Sequence, residues 1–281
     1  MKVKEVLEHY KFNKGESTRL NSIIKMLNGF YGELDARSLT KLHSHEYLKQ
    51  RGVSSQTIAR ELNVLSASIN FCYKNDILSE KPRSINIEHK TNVRNRWLTK
   101  EEIKSLLSTK SLKKNPHILL ACKLAVTTAA RKEAVLSLMT SQISWSAGRR
   151  GIIDYRSGLV NKKPRSVVPV PESMVDELKR ACDKSVLGFV VQSRRGRPVK
   201  EVQYVYKKAV NEASLGNDVC FHTLRHTCAV HMAQSGKVSM NELSSYLGHT
   251  STKITEKHYA KFFPEYMISS SEVASDLISY V

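Results

Sequence analysis

The chain has no run of about 18 apolar residues, the length a membrane-spanning helix needs. Its most apolar stretch, ILLACKLAVTTAA, is interrupted by Lys123 and reads as a buried helix. The N-terminal MKVKEVLEHY alternates charged and apolar residues and lacks the apolar core of a secretory signal. These absences predict a cytoplasmic chain with no membrane partner. Cysteine is also scarce: Cys72, Cys122, Cys182, Cys220 and Cys228 are odd in number, scattered and without CxxC spacing. That argues against a disulfide framework and against a thiolate zinc site. Acidic residues are few as well, 26 against 45 lysines and arginines, for a formal charge of +19. An excess of that size goes beyond what solubility needs and predicts a polyanionic partner, most often nucleic acid.

What is present is enough to fold. The 281 residues are 41% hydrophobic, which suffices for two domains of ordinary size. Residues 1–87 read as a helical bundle. Leu20, Ile23, Ile24 and Leu27 share one helix face, and so do Ile58, Leu62, Leu65, Ile69 and Cys72. Ser55 is placed as the cap of that second helix. Shorter patterns near Val3 to Tyr10 and Leu39 to Leu48 predict two more helices. EHKTNVRNR, residues 88–96, is basic and aperiodic and reads as a linker. Structure resumes at residue 97, where Thr99 and Glu102 have capping-box spacing behind Leu98.

The second domain, residues 97–263, is predicted to be mainly helical with a small antiparallel sheet. Two helices are expected in PHILLACKLAVTTAARKEAVLSL, with a break near Thr127 to Ala130. GIIDYRSGLVNKKPRSVVPV is read as three short strands, with turns at Ser157-Gly158 and Lys163-Pro164. Helices follow near 171–182, 200–214, 222–235, 239–247 and 252–260. Residues 264–281 predict a final helix with Met267, Ile268, Val273 and Leu277 on its apolar side. It docks either on a neighbouring protomer or in cis; the sequence does not choose.

FHTLRHTCAVHM, residues 221–232, packs three histidines and one arginine into one helical segment. His222 and His226 have the i, i+4 spacing of a zinc pair, but Thr223 stands where the general base of such enzymes would be. Arg225 would repel a dication, so no metal and no cofactor are expected. A phosphate fits better. Arginine offers a fixed fork of donors and keeps its charge, and His222 shares a helix face with Arg225. His226, one turn on, is read as packing or orienting its neighbour. Arg131 lies upstream in TTAARKEAVLSL, the basic stretch NKKPR lies between, and His249 and Tyr259 follow in SYLGHTSTKITEKHYAKF.

This ordered set, HTLRH, then LGH, then the tyrosine of KHYAKF, resembles the tyrosine recombinases of the phage integrase family. The resemblance spans residues 97–263. It implies a helical core-site DNA-binding domain at residues 1–87, and Arg131, Lys162, His222, Arg225, His249 and Tyr259 as catalytic residues. The implied activity is site-specific strand exchange by a phage or mobile-element integrase, through a 3′-phosphotyrosine and without metal or ATP. The two arginines would clamp the phosphate oxygens and His249 would add a hydrogen bond. His222 would either take the tyrosine proton or hold the phosphate. Lys162 would protonate the leaving oxygen, with Lys163 as its alternative. The implied partners are double-stranded recombination sites, a homotetramer on two of them, and accessory DNA-bending proteins.

Two departures stand out. TAAR lacks the glycine that often precedes the first arginine, and Ala134 occupies the position of a usual acidic residue, with Glu133 one step off. Lys90, Arg94, Arg96, Arg194, Arg195 and Arg197 are expected on backbone phosphates, and Gln56 and Arg60 are candidates for base contacts. No added arm-binding domain is expected ahead of the core-site-binding bundle. Other readings stay open: a chromosome-dimer resolvase of the Xer kind, a type IB topoisomerase, or a non-cutting DNA-binding relative.

Overall fold

A computed structural model describes residues 1–15, 17–82, 85–87, 95–145, 151–156 and 165–263. Lys90, Arg94, Lys162, Lys163, most of the linker, the expected middle strand near Val160 and the tail 264–281 lie outside the described residues. The chain forms two compact units, Met1–Val93 and Arg94–Val281.

Among its described residues the first unit holds four α-helices: α1 (Val3–Lys14), α2 (Thr18–Tyr31), α3 (Lys41–Arg51) and α4 (Ser55–Lys74). The apolar stripe read from α4 is its buried face, with Ile58, Leu62 and Leu65 fully enclosed against Val6, Leu7 and Leu27. The cap of α4 is Ser54, not Ser55: its Oγ accepts from the amide of Thr57 at 3.3 Å, and Ser55 is already helical. Both serines satisfy the same preference, so only backbone geometry separates them. Among the described residues of this bundle one carboxylate, Glu61, is buried. It is matched by the Tyr47 hydroxyl at 2.7 Å and the Arg51 guanidinium at 2.8 Å, which offsets the desolvation penalty of a lone buried charge. Gln56 is half-buried and Arg60 exposed, one turn apart on α4.

In the second unit Thr99 and Glu102 close the expected capping box at the start of α5 (Lys100–Leu107), over a fully buried Leu98. A four-residue helix, α6 (Lys110–Lys113), precedes α7 (Pro116–Thr128) and α8 (Lys132–Leu136). The described strands are β1 (Ile143–Ser144), β2 (Ile152–Asp154) and β3 (Val167–Pro169), antiparallel in the order β1-β2-β3. Ile153 pairs with Ile143 on one side and Val168 on the other. The first strand therefore lies upstream of the expected region. Two residues, one buried and one exposed, are too short to show a period-two pattern.

Then follow α9 (Val175–Asp183), α10 (Gln203–Glu212), α11 (Phe221–Gln234), α12 (Met240–Leu247) and α13 (Thr252–Tyr259). The segment FHTLRHTCAVHM lies in α11, packed along α7 and buried on most sides, from Leu224 and Thr227 to Ala229 and Val230. A second apolar cluster joins α11 to α12 and α13 through Ala229, Val230, Leu243, Leu247 and Tyr259. Burying α11 is what carries Arg225 inward. Among the described residues no helix is long and apolar enough to cross a membrane.

Candidate active site

Helix α7 ends where the sequence breaks. Ala129 takes a left-handed conformation, φ 51°, that glycine adopts more easily and that costs another residue about 1–2 kcal/mol. This is the alanine-for-glycine departure noted in TAAR. The turn has two consequences. It sets Arg131 at the N-cap of α8, and it aims the Ala129 carbonyl at Arg225.

Arg225 is only 5% exposed. Its Nη1 donates to the Ala129 carbonyl at 2.6 Å and its Nη2 to the Leu247 carbonyl at 2.8 Å, so α7 and α12 both hold it. The same Nη2 lies 3.2 Å from His249 Nε2. A guanidinium has no acceptor, so Nε2 must accept. The ring proton is then on Nδ1, 2.8 Å from Thr255 Oγ1 on α13. Burial, with Arg225 and Arg131 close by, holds His249 down to about 4. In this state His249 is neutral and braces Arg225, whereas the sequence reading expects it to donate to a phosphate.

Arg131 and Arg225 line one narrow cleft, together with Arg165, Ser166 and Tyr155. Burial first, and then the charge of Arg131, lowers Arg225 to about 10, still fully cationic at working pH. Ala134 lines the cleft where an acidic residue is usual, and Glu133 is exposed. No carboxylate lines the cleft among the described residues. Gly248 fixes one wall. It caps α12 at φ 61°, and a Cβ there would fall 2.7 Å from the Arg165 carbonyl carbon and 2.8 Å from the Ser166 nitrogen. Glycine therefore lets the turn before His249 touch the backbone that enters β3.

Tyr259, at the end of α13, is 7% exposed. Its hydroxyl lies 3.2 Å from His226 Nδ1, and the two rings are 5.3 Å apart. His226 Nε2 is buried without a hydrogen-bond partner among the described residues. Burial, then His222, His258 and Lys261, holds His226 down to about 4. Burial raises the Tyr259 phenol, and Arg225 pulls the other way without prevailing. The cationic pocket expected to activate the phenol does not yet do so in this state. His222 is exposed in the first turn of α11.

Sequence reasoning missed Arg165, although it sits in the quoted NKKPR stretch, because only the lysines there were weighed. It also missed the carbonyls of Ala129 and Leu247, which leave no signature in side-chain patterns. Of the basic residues expected on phosphates, Arg96 is instead paired with Glu102 at 2.5 Å and bonded to the Trp97 carbonyl. Its charge is thus committed within the chain. Arg194 is exposed but donates to the Lys114 carbonyl at 3.1 Å, while Arg195 and Arg197 are exposed at the adjacent turn. No group of three or more metal-ligating side chains occurs among the described residues.

Residues 96–265 match the model of the phage integrase family. The chain belongs to the phage integrase family. As a member it is a tyrosine recombinase, an enzyme. A curated relative, tyrosine recombinase XerA of Thermococcus kodakarensis, is 28% identical over 247 residues, which is 82% of this chain and 81% of the relative. Among solved structures, the Tn1549 transposon integrase (aa 82-397) in complex with circular intermediate DNA aligns with a TM-score of 0.75 at 17% identity. That alignment covers 92% of this chain and 95% of the other. A lambda integrase tetramer bound to a Holliday junction aligns at 0.66, also 17% identical, over 92% and 77%. At such identities the alignments establish a shared integrase fold.

Proposed function

We propose that this enzyme cuts and rejoins double-stranded DNA at specific sites, with Tyr259 as nucleophile and Arg131 and Arg225 as the phosphate clamp. The carrying observation is that two guanidiniums from distant parts of the sequence line one cleft, while the Tyr259 phenol is hydrogen-bonded to His226 of α11, the helix that carries Arg225. The Tyr259 oxygen attacks the scissile phosphorus, the sugar 5′-oxygen leaves with a proton, and a 3′-phosphotyrosine forms. Attack by a 5′-hydroxyl reverses the step and reseals a strand, so the phosphodiester energy is kept. Charge that builds on the non-bridging oxygens falls between the arginines, and losing one such donor costs about 10²- to 10³-fold in rate. Burial and then the nearby arginines hold His249 neutral; an entering phosphate offsets the second of these, which raises its affinity for a proton and frees it to donate. Lys162 is our candidate for protonating the leaving oxygen. His222, exposed beside the site, either accepts the phenol proton or binds the phosphate.

Residues 1–87 serve as the core-site-binding domain, with Gln56 and Arg60 as candidate base contacts, and residues 88–96 as the linker to the catalytic domain at 97–263. Four protomers act on two sites, in a cytoplasmic, DNA-associated enzyme. Integrase and Xer-type resolvase roles share this chemistry. A nicked suicide substrate carrying the recombination site tests the reading: the wild type is expected to trap a covalent protein–DNA adduct that Tyr259→Phe abolishes. Adduct formation that survives Tyr259→Phe overturns it.

A further inference from the structure

We propose that Arg165 is a third phosphate-binding arginine of the cleft, a catalytic residue that touches a non-bridging oxygen of the scissile phosphate. The inference rests on the reading of the cleft given above and adds to it a residue outside the expected set.

Three observations lead there. Arg165 lines the cleft with Arg131 and Arg225. Its guanidinium is near enough to Arg131 to be repelled by it, and Glu133 supplies a partial attraction from outside the cleft. Its backbone is locked: Gly248 lies so close to the Arg165 carbonyl carbon that no side chain fits between them. The arginine is therefore not on a freely moving loop end. It is pinned to the same α12 turn whose Leu247 carbonyl holds Arg225 and whose next residue is His249.

The electrostatics give the arrangement a purpose. Three guanidiniums around a cleft with no carboxylate among its described lining residues repel one another. Surface arginines avoid this by turning to solvent, but Arg225 is fixed by two carbonyls, and the backbone from which Arg165 extends into the cleft lining is held against Gly248. The repulsion is relieved by an anion, and most by one carrying two charges. A phosphodiester carries one negative charge, and its pentacoordinate transition state carries about one more on the non-bridging oxygens. A third donor fork therefore contributes more in the transition state than in the ground state, which is the condition for accelerating the chemical step. Glu133 does not support Arg131 in the usual position, but it draws on Arg165 and so offsets part of the cost of its charge.

The test uses the full-length enzyme in single-turnover cleavage of two suicide substrates. One has a natural scissile phosphate. The other has a methylphosphonate there, which replaces one charged non-bridging oxygen by methyl. Wild type, Arg165→Lys and Arg165→Gln are compared, with thermal midpoints measured for each. On the phosphate, Arg165→Gln is expected to form adduct about 10²-fold more slowly, with Arg165→Lys in between. On at least one methylphosphonate diastereomer the gap between wild type and Arg165→Gln should shrink to within about threefold, because the oxygen that Arg165 serves is gone. Unchanged cleavage of the phosphate by Arg165→Gln overturns the proposal. An equal defect on both substrates also overturns it, since that marks a structural role. Failure of the wild type itself to form adduct would instead overturn the parent reading of Tyr259.

Discussion

His226 Nδ1 lies 3.2 Å from the hydroxyl of Tyr259, and the other nitrogen of the same ring is buried with no hydrogen-bond partner among the described residues. A second proton on this imidazole would put an unsatisfied cation beside His222, His258 and Lys261. The ring is thus a poor proton acceptor and a good fixture: it positions the phenol.

Removing that fixture should slow attack without weakening DNA binding. His226→Phe keeps a ring against Phe262 and Tyr259 but loses the bond, and adduct formation is expected to fall about 5- to 10-fold, the worth of roughly one hydrogen bond. His226→Asn places a polar group near the Nδ1 position and should recover part of the rate. A substrate with a sulfur leaving group, which needs no acid, should leave the His226→Phe defect intact. Rescue by that substrate would move His226 to the leaving-group side of the reaction.

Stability should fall with acid in a window to which two histidines of the site contribute, beside His117, which burial also lowers. His226 and His249 are both held down to about 4 in the folded protein, against about 6.5 in the unfolded chain. Above 6.5 both states are neutral and stability is full. As the pH drops from 6.5 towards 4 the unfolded chain takes up protons that the folded one refuses, and stability is lost. Both rings are partly solvated, so the screened loss is about 2 kcal/mol in total. Chemical denaturation at pH 7.5 and pH 4.5 measures it. His226→Phe should show a shallower dependence, and an unchanged one would mean that His226 titrates normally.

Gly248→Ala is expected to damage both stability and chemistry. The left-handed φ of 61° costs alanine about 1–2 kcal/mol, and the new methyl meets the backbone of Arg165 and Ser166. A loss of about 2–4 kcal/mol in denaturation should accompany cleavage slowed by at least tenfold, since Arg165 and His249 move together. A variant of normal stability and rate would show that the turn and the β3 entry are not coupled.

Much of this site was legible in the sequence. The order of Arg131, His222, Arg225, His249 and Tyr259, and the helical periods around them, led to a phosphate cleft, and both arginines line it. The helix break at Thr127 to Ala130 was also readable, because the alternation of apolar residues stops there. What escaped was of three kinds. Elements of two and four residues, β1 and α6, are shorter than one period of any pattern. Backbone carbonyls such as those of Ala129 and Leu247 have no residue type to announce them. Charges are ambiguous: Arg96 and Arg165 look alike in sequence, yet one is spent on Glu102 and the other lines the cleft.

The central claim is a covalent one, and peptide mapping of the trapped adduct tests it most directly. Digestion of the protein–DNA complex from a suicide substrate, followed by mass spectrometry, should place a 3′-phosphoryl nucleotide on the Tyr259 oxygen and leave a free 5′-hydroxyl on the released strand. A link through the 5′-phosphate, or to any residue other than Tyr259, would contradict the account.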